Sequence, residues 1–588
     1  MHSRNDYFIK HKLYQYLLPG ILMTVAMQLG NTVDSILVGN ALDYNAVSAI
    51  QSTVPALFLM QSPAFLLGAG GASVAAVYLG KRDIKKASRT FSATLVFGIL
   101  ISLVFVISAP FLSSPIARIL AVTDELTALA QPYIFVNMAG LPFLIMAIIL
   151  SNYINVDNNP KLGCTMFIIA NAVNLSLDYY FLYYTDLKMY GAALSTIIGY
   201  GVGLIIIIPY AMSKRRMLKF KLKNVFDFKL LAESSKTGLS AALVLVMKAI
   251  NNLVLNIIVI NVLGQSMFGI YSICINSVFF AELFAGGILG LIPTIAGVLY
   301  GEKDYFGIRV LAKKVAVISC IVISVLIGIF MAVPNLFTIM YGLDDPELLP
   351  TAEVCLRIFS ICFLPYAFNK FMQNYYQTIL NPFLASLNTI LQGFIISVPV
   401  SLIMLNLFGV YGLCLSMFVS EVLTVLIVTI VRIIGQNKKK FPQKGILLIP
   451  DKDSGNYVDC TICGNEEDSV ELSKKLIDFC VNNSIDKKTA NIVGIAAEEI
   501  TANILKYGYT DKSRNYIDVC LSKLDEKLIL RIRDDGIPFN PTEYRQEDEG
   551  SGLMTGGINL VRSMSSAFKY MRTINLNNTI IEIKLSTN

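Results

Sequence analysis

The chain is 588 residues long with a formal net charge of +7, and it is 55% hydrophobic but only 15% charged. A soluble globular protein carries about 25% charged residues, so the deficit points to a membrane, and the length exceeds one domain. The positive surplus sits in a few loops and implies no nucleic-acid-binding face.

The first apolar stretch follows Lys10 and Lys12. It is too long for a signal-peptide core and contains Asp34, so it reads as a retained spanning helix. A bilayer core needs about 20 apolar residues per helix. Twelve such stretches can be placed up to Ile434, centred near Thr24, Ala64, Leu100, Pro142, Ala172, Val202, Ala249, Phe284, Val322, Phe363, Ile395 and Val422. The run Gln436–Lys444 is a basic, proline-containing linker, and the remainder has soluble composition with alternating helix and strand patterns. The expected organisation is a six-helix N-terminal lobe (1–225), a six-helix C-terminal lobe (226–435), a linker (436–455) and a soluble domain (456–588). The ten cysteines are scattered, six of them in apolar stretches, which is not a disulfide framework. Cys460 and Cys463 form a lone C-x-x-C on an expected strand, where positions three apart face opposite ways.

Basic residues cluster on alternate loops: Lys81, Arg82, Lys85, Lys86 and Arg89; Lys214, Arg215, Arg216, Lys219, Lys221 and Lys223; Lys303, Arg309, Lys313 and Lys314. The opposite loops hold only Arg118 and Lys188. The positive-inside rule then places both termini in the cytoplasm of a multi-pass plasma-membrane protein. The apolar region also repeats itself. Tyr190-Gly-Ala-Ala-Leu-Ser195 recurs as Tyr411-Gly-Leu-Cys-Leu-Ser416, Gly80-Lys-Arg-Asp83 as Gly301-Glu-Lys-Asp304, Leu141-Pro142 as Leu364-Pro365, and Asn159-Pro160 as Asn381-Pro382. The spacing is always 221 to 223 residues. Parallel six-helix repeats are a transporter design with the substrate path between the halves.

Carboxylates inside membrane helices are costly and usually functional. Asp34 lies mid-span in the first helix. Asn174 and Asp178 are four apart on the fifth and share a face, and Thr196 opens the sixth. Oxygen groups of this kind suit a hard cation or a proton. The only histidines, His2 and His11, precede the spans, so carboxylates must carry any proton coupling. In the second half, Lys248, Glu282, Lys370 and Glu421 lie within spans. Tyr366, Lys370, Gln373, Asn374 and Gln377 make a polar helical stripe expected to face a cavity. These charges form buried ion pairs such as Lys248 with Glu282, or else the lysines receive an anionic or zwitterionic substrate.

Pro19-Gly20 with Asn31-Thr-Val-Asp34-Ser-Ile-Leu-Val-Gly39, the Gly68-Ala-Gly-Gly-Ala-Ser73 to Gly80-Lys-Arg-Asp83 stretch, and Asn174-Leu-Ser-Leu-Asp178 resemble the MATE family of multidrug and toxic compound extrusion transporters over roughly residues 10–435. The resemblance implies that Asp34, Asn174, Asp178 and Thr196 form the cation site of the N-terminal lobe, with Tyr133 nearby.

The soluble region carries three ordered motifs. Glu498-Glu499-Ile-Thr-Ala-Asn503 lies on a helix, with Glu499 and Asn503 on one face. A strand then ends in Asp534-Asp-Gly536-Ile-Pro538. Finally Gly550-Ser-Gly552 and Gly556-Gly557 precede a helix, where glycines let backbone N–H groups approach phosphate. Together they resemble the GHKL, or histidine-kinase-like, ATPase fold and within it the anti-sigma-factor serine kinases. The resemblance implies an α/β sandwich that binds ATP with Mg2+. Glu499 would be the general base, Asn503 a magnesium ligand, Asp534 the acceptor for the adenine amino group with Gly536 beside it, and Gly557 part of the phosphate lid. Met554-Thr-Gly-Gly557 departs from the usual Gly-Gly-Leu-Gly, which favours ATP binding over phosphoryl transfer.

The sequence therefore predicts an α-helical polytopic membrane protein with twelve spans in two lobes and a fused GHKL-like domain. It would be an antiporter driven by Na+ or H+ that exports small organic compounds, with membrane lipid and a protein substrate of the kinase-like domain among its expected partners. No Walker phosphate loop is present to power an ABC-type engine. The alternatives are a flippase for a lipid-linked substrate and a membrane-anchored serine kinase.

Overall fold

The structure, a computed structural model, describes residues 2–41, 44–120, 124–213, 216–221, 225–340, 343, 345–441, 445–450, 457–463, 466–509, 516–524, 526–543 and 552–585. At residues 27–36 and 552–556, and at scattered other helical positions, it describes the backbone alone. The chain divides into two compact units, Leu13–Ile449 and a second that joins Met1–Lys12 to Pro450–Asn588.

The apolar segments of the larger unit are all helical, because in lipid every backbone N–H and C=O must be satisfied within its own segment. Its first half comprises α1 (Tyr7–Ala41), α2 (Tyr44–Gly80), α3 (Ile84–Leu120), α4 (Asp124–Val156), α5 (Pro160–Tyr184) and α6 (Lys188–Met212). Its second half comprises α7 (Phe228–Leu289), α8 (Leu291–Gly301), α9 (Tyr305–Ala332), α10 (Asn335–Met340), α11 (Leu349–Ser360), α12 (Phe363–Thr378), α13 (Pro382–Ile390), a π turn at Leu391–Ile395, and α14 (Ser397–Asn437). Among the described residues, ten helices are long and apolar enough to cross a membrane, where twelve spans were expected. The last of the ten, Pro382–Asn437, runs 56 residues. Gly409 lies inside it with φ 58°, outside helical geometry, and divides it. Helix α1 is not among the ten; many of its side chains lie outside the described residues.

The internal duplication is visible in backbone geometry. After α2, Arg82 adopts φ 63°, and after α8 Lys303 adopts φ 59°. The turns close with the same bonds, Asp83 N to the Tyr78 carbonyl and Asp304 N to the Leu299 carbonyl, each 2.8 Å. Each aspartate then caps the next helix, Asp83 accepting from Lys86 N and Asp304 from Gly307 N. The repeats meet here: a side chain on Gly80 would run into Gly301, and one on Gly301 into Gly80. Such close backbone approach is how membrane helices pack without a hydrophobic driving force.

The smaller unit has a six-stranded antiparallel sheet of order β1-β2-β3-β4-β6-β5: β1 (His2–Ser3), β2 (Tyr457–Cys463), β3 (Tyr516–Lys523), β4 (Lys527–Asp534), β5 (Ala567–Thr573) and β6 (Leu576–Lys584). Ile517, Val519 and Leu521 on β3, and Leu528, Leu530 and Ile532 on β4, alternate onto one buried face, as the period of two requires. Helices α15 (Glu466–Asn482), α16 (Lys487–Tyr507) and α17 (Gly552–Met564) share one core with that face, which gives the expected two-layer α/β sandwich. Cys460 is buried and Cys463 exposed.

The sandwich includes one strand that its sequence position hides. Residues 2 and 3 pair with β2, His2 opposite Thr461 and Ser3 opposite Cys460. Arg4 follows, ion-paired with Asp459 at 3.0 Å and Asp518 at 3.1 Å.

Candidate functional site

In the first repeat, Asp178 and Asn174 occupy adjacent turns of α5, and α6 brings Ser195 and Thr196 against them. Asn174 donates through Nδ2 to Asp178 Oδ2 at 3.1 Å, Thr196 Oγ1 at 3.1 Å and Ser195 Oγ at 3.4 Å. Ser195 donates a short hydrogen bond to Asp178 Oδ1. Asp178 is fully buried and Asn174 nearly so. A buried carboxylate bonded to a neutral hydroxyl and an amide in a membrane helix is an oxygen-rich centre, the chemistry that receives a small cation or a proton. Sequence reasoning picked out Thr196 and passed over its neighbour Ser195, which holds the carboxylate directly; its place in the repeated Tyr-Gly-x-x-Leu-Ser motif was the available signal. Tyr133 is buried on α4. The Asp34 side chain lies outside the described residues.

In the second repeat, Lys248 pairs with Glu282 at 2.6 Å, Tyr366 donates to the same oxygen at 2.6 Å, and Lys370 adds a second positive charge nearby. The polar stripe on α12 differs from expectation: Gln373 is 2% exposed and donates to the Ser240 carbonyl, and Gln377 bridges Ser240 and Ser73. These amides tie helices together rather than line an open cavity, because a buried amide must spend its hydrogen bonds on its neighbours. Glu421 also departs from the ion-pair reading. Its carboxylate accepts from Asn369 at 2.6 Å and Gln392 at 2.9 Å, both neutral.

In the sandwich, Glu499 and Asn503 lie on successive turns of α16, with Asn503 Nδ2 donating to Glu499 Oε1 at 3.0 Å. That bond leaves the Asn503 oxygen to face a cation. Asp534, at the end of β4, is 3% exposed and accepts from Gly536 N at 2.9 Å and Asn577 Nδ2 at 2.7 Å. Burial pushes its carboxyl up to about 6, against the pull of those two bonds. Asn577 also donates to the Ile537 carbonyl at 3.1 Å and so locks the Asp534–Ile537 turn. It escaped sequence reading, although an Asn-Asn pair at the start of an apolar strand is a signal for buried polar work. A side chain on Gly536 would strike the Gly508 carbonyl and the Asp534 carboxylate, and one on Gly557 the Glu499 carboxylate. Gly557 lies inside α17, not ahead of it, so it packs the helix onto α16. Residues 544–551, with Gly550 of the glycine motif, lie outside the described residues. The acceptor, the amide oxygen and the carboxylate fit the ATP and magnesium that the motifs imply, whereas the Gly536 and Gly557 spaces are filled by the protein's own atoms.

The two units thus define an architecture: a polytopic helical unit with the MATE fold, followed in sequence by an α/β sandwich similar to histidine kinase-like ATPase domains. Residues 19–180 match the MatE family model, and residues 466–584 match that of the histidine kinase-like ATPase domain. In particular, the multidrug export protein MepA of Staphylococcus aureus is 26% identical over 431 residues, covering 71% of this chain and 93% of MepA. A MOP superfamily transporter from Pyrococcus furiosus, described as having a binding pocket of reverse polarity, superposes with TM-score 0.67 at 17% identity, over 74% of this chain and 100% of that one. The Vibrio cholerae MATE transporter VcmN in its bent form gives TM-score 0.66 at 18% identity, over 74% and 98%. At these identities the structures establish the fold of the helical unit.

Proposed function

We propose that the helical unit is an exporter of small organic molecules driven by a Na+ or H+ gradient, with Asp178 as the coupling carboxylate. The observation that carries this is the Asp178 centre: a fully buried carboxylate bonded to Asn174 and Ser195, with Thr196 bonded to the same Asn174 amide. Asp34, which the family resemblance assigns to the same cation site, is proposed to share the coupling role. The ionised centre favours a cation. Loading it removes the charge and lets the surrounding helices repack, so ion occupancy and helix arrangement are linked. Export of drugs by MepA supports the cargo class.

The fused domain is proposed to bind ATP with magnesium and to regulate the exporter. Bound ATP would supply a triphosphate for hydrolysis or transfer. Asp534, fixed by Asn577 and Gly536 N, would accept the adenine amino group. Asn503 would face the metal, and Glu499 would take a proton from an attacking hydroxyl. Both termini would be cytoplasmic. The test is ion-gradient-driven efflux by the full chain in proteoliposomes, with and without luminal ATP, beside calorimetry of ATP binding. Gradient-driven export that ATP modulates but does not power is expected; export powered by ATP without a gradient would overturn the reading.

A second reading concerns cargo. Lys248 and Lys370 both lie near Glu282, and two lysines between helices favour a substrate with an anionic or zwitterionic group. Lys370→Gln should then impair export of such substrates more than that of cations.

A further inference from the structure

A cavity of about 300 Å3 opens between the start of α3 and the segment joining α6 to α7. Its walls are Ile84, Lys85 and Ser88 of α3 with Arg216, Met217, Lys219 and Lys221 of the joining segment. Four of these seven residues are cations and none is an anion. We propose that this cavity is a binding site for a phosphate-ester anion, either the headgroup of an anionic phospholipid or a soluble phosphate ester.

The rule that basic loops face the cytoplasm accounts for positive residues in these loops, but not for their arrangement. The joining segment is fastened at four backbone positions. Met217 N and Leu218 N donate to Asp157 Oδ1 at 2.9 and 3.1 Å. Lys219 N donates to Ser88 Oγ at 3.2 Å, and Lys221 N to Ser92 Oγ at 3.0 Å. Ser88 and Ser92 are one turn apart on α3, so the segment is laid along that helix. Phe220 meets Phe91 edge to face. Fixing the backbone this way holds like charges together at a cost that an anion would relieve. No carboxylate pairs with Lys85, Lys219 or Lys221 among the described residues. Asp157, whose charge interacts with that of Arg216, is already engaged by two backbone N–H groups and Tyr210. A phosphate oxygen set would meet three ammonium groups and a guanidinium, a good match in charge and hydrogen-bonding capacity. Because the segment joins the two repeats, an anion seated here would bind it to α3.

The test titrates the purified full chain with short-chain phosphatidylglycerol, short-chain phosphatidylcholine, glycerol phosphate and inorganic phosphate, reading the unfolding midpoint and, by native mass spectrometry, bound stoichiometry. A saturable midpoint rise with one bound phosphatidylglycerol, absent with phosphatidylcholine, is expected. A response to phosphatidylglycerol alone identifies the lipid source, and an equal response to glycerol phosphate the soluble one. Lys85→Gln/Lys219→Gln/Lys221→Gln should abolish the response, while Lys438→Gln/Lys439→Gln/Lys440→Gln, an equal charge change elsewhere, should preserve it. If the triple variant fails to fold, Lys219→Gln alone, which keeps its backbone anchor, should weaken binding about fivefold. A response that survives the pocket variants, one lost equally with the Lys438–Lys440 change, or no saturable response to any probe would overturn the proposal.

Discussion

Single residues decide the chemistry at both candidate sites. Asp178→Asn is expected to abolish gradient-driven flux in proteoliposomes while the protein still elutes as a folded species; near-normal exchange would remove the coupling role. The substitution keeps the shape and hydrogen-bonding reach of the side chain and deletes only the charge. Asp534 makes a pH prediction. Its carboxyl is raised from an ordinary value of 3.8 to about 6. Between those values the folded domain holds a proton that the unfolded chain does not. Lowering pH from 7 to 5 therefore stabilises the empty domain through this group, while the proton occupies an oxygen that adenine would use. ATP affinity should fall as pH drops through about 6, and the apo unfolding midpoint should move the other way. An affinity that is flat between pH 5 and 7 would separate Asp534 from the adenine. Asp178 and Asp534 were legible in the sequence because a carboxylate in an apolar helix and an Asp-x-Gly at a strand end are conspicuous. Ser195 and Asn577 were not, because a hydroxyl or amide becomes significant only once the fold sets a carboxylate beside it.

Elements were read well where a local rule fixes them. The repeated Gly-x-x-Asp, legible as a duplication, forms the same turn into a new helix in both copies, with a left-handed residue third and an aspartate cap fourth. The extent of α17 was read less well. Its glycines suggested a loop before the helix, but α17 begins at Gly552 and places Gly557 against Glu499, a long-range packing demand that local propensity does not express. Gly557→Ala should therefore destabilise the soluble unit by about 1–3 kcal/mol through overpacking. Glu499→Ala should relieve most of that loss in the double variant, because the side chain being struck is then gone. A double-mutant cycle on thermal unfolding of the full chain, followed by hydrogen exchange in α16, measures this. Additive losses would mean that the two residues do not share the space.

At the scale of the whole molecule, the least legible feature is that residues 1–12 complete a sandwich that resumes only at residue 450. Nothing local marks His2–Ser3 as a strand; its partner lies more than 450 positions away, and Arg4 looks like an ordinary terminal charge. Yet Arg4 is buried between Asp459 and Asp518, and Thr461 donates to Asp518 at 2.6 Å while accepting from Asn5 N at 3.0 Å. Burial raises the Asp518 carboxyl above its usual range, and the Arg4 guanidinium opposes that shift. Arg4→Ala strands a buried carboxylate, so it should cost the soluble unit about 3–5 kcal/mol at neutral pH. Hydrogen exchange in β2 and β3 of the full chain should then rise sharply. The sign of its pH dependence separates a lost ion pair from a lost strand. Without Arg4 the folded-state value of Asp518 climbs further, so the deficit is full above that value and shrinks as falling pH neutralises the acid. Deleting residues 2–5 also removes the β1 pairing, and that loss has no proton to restore it. A rescue at low pH for Arg4→Ala but not for the deletion is expected; equal exchange in wild type and Arg4→Ala at neutral pH would show that the N-terminal arm does not hold the sandwich.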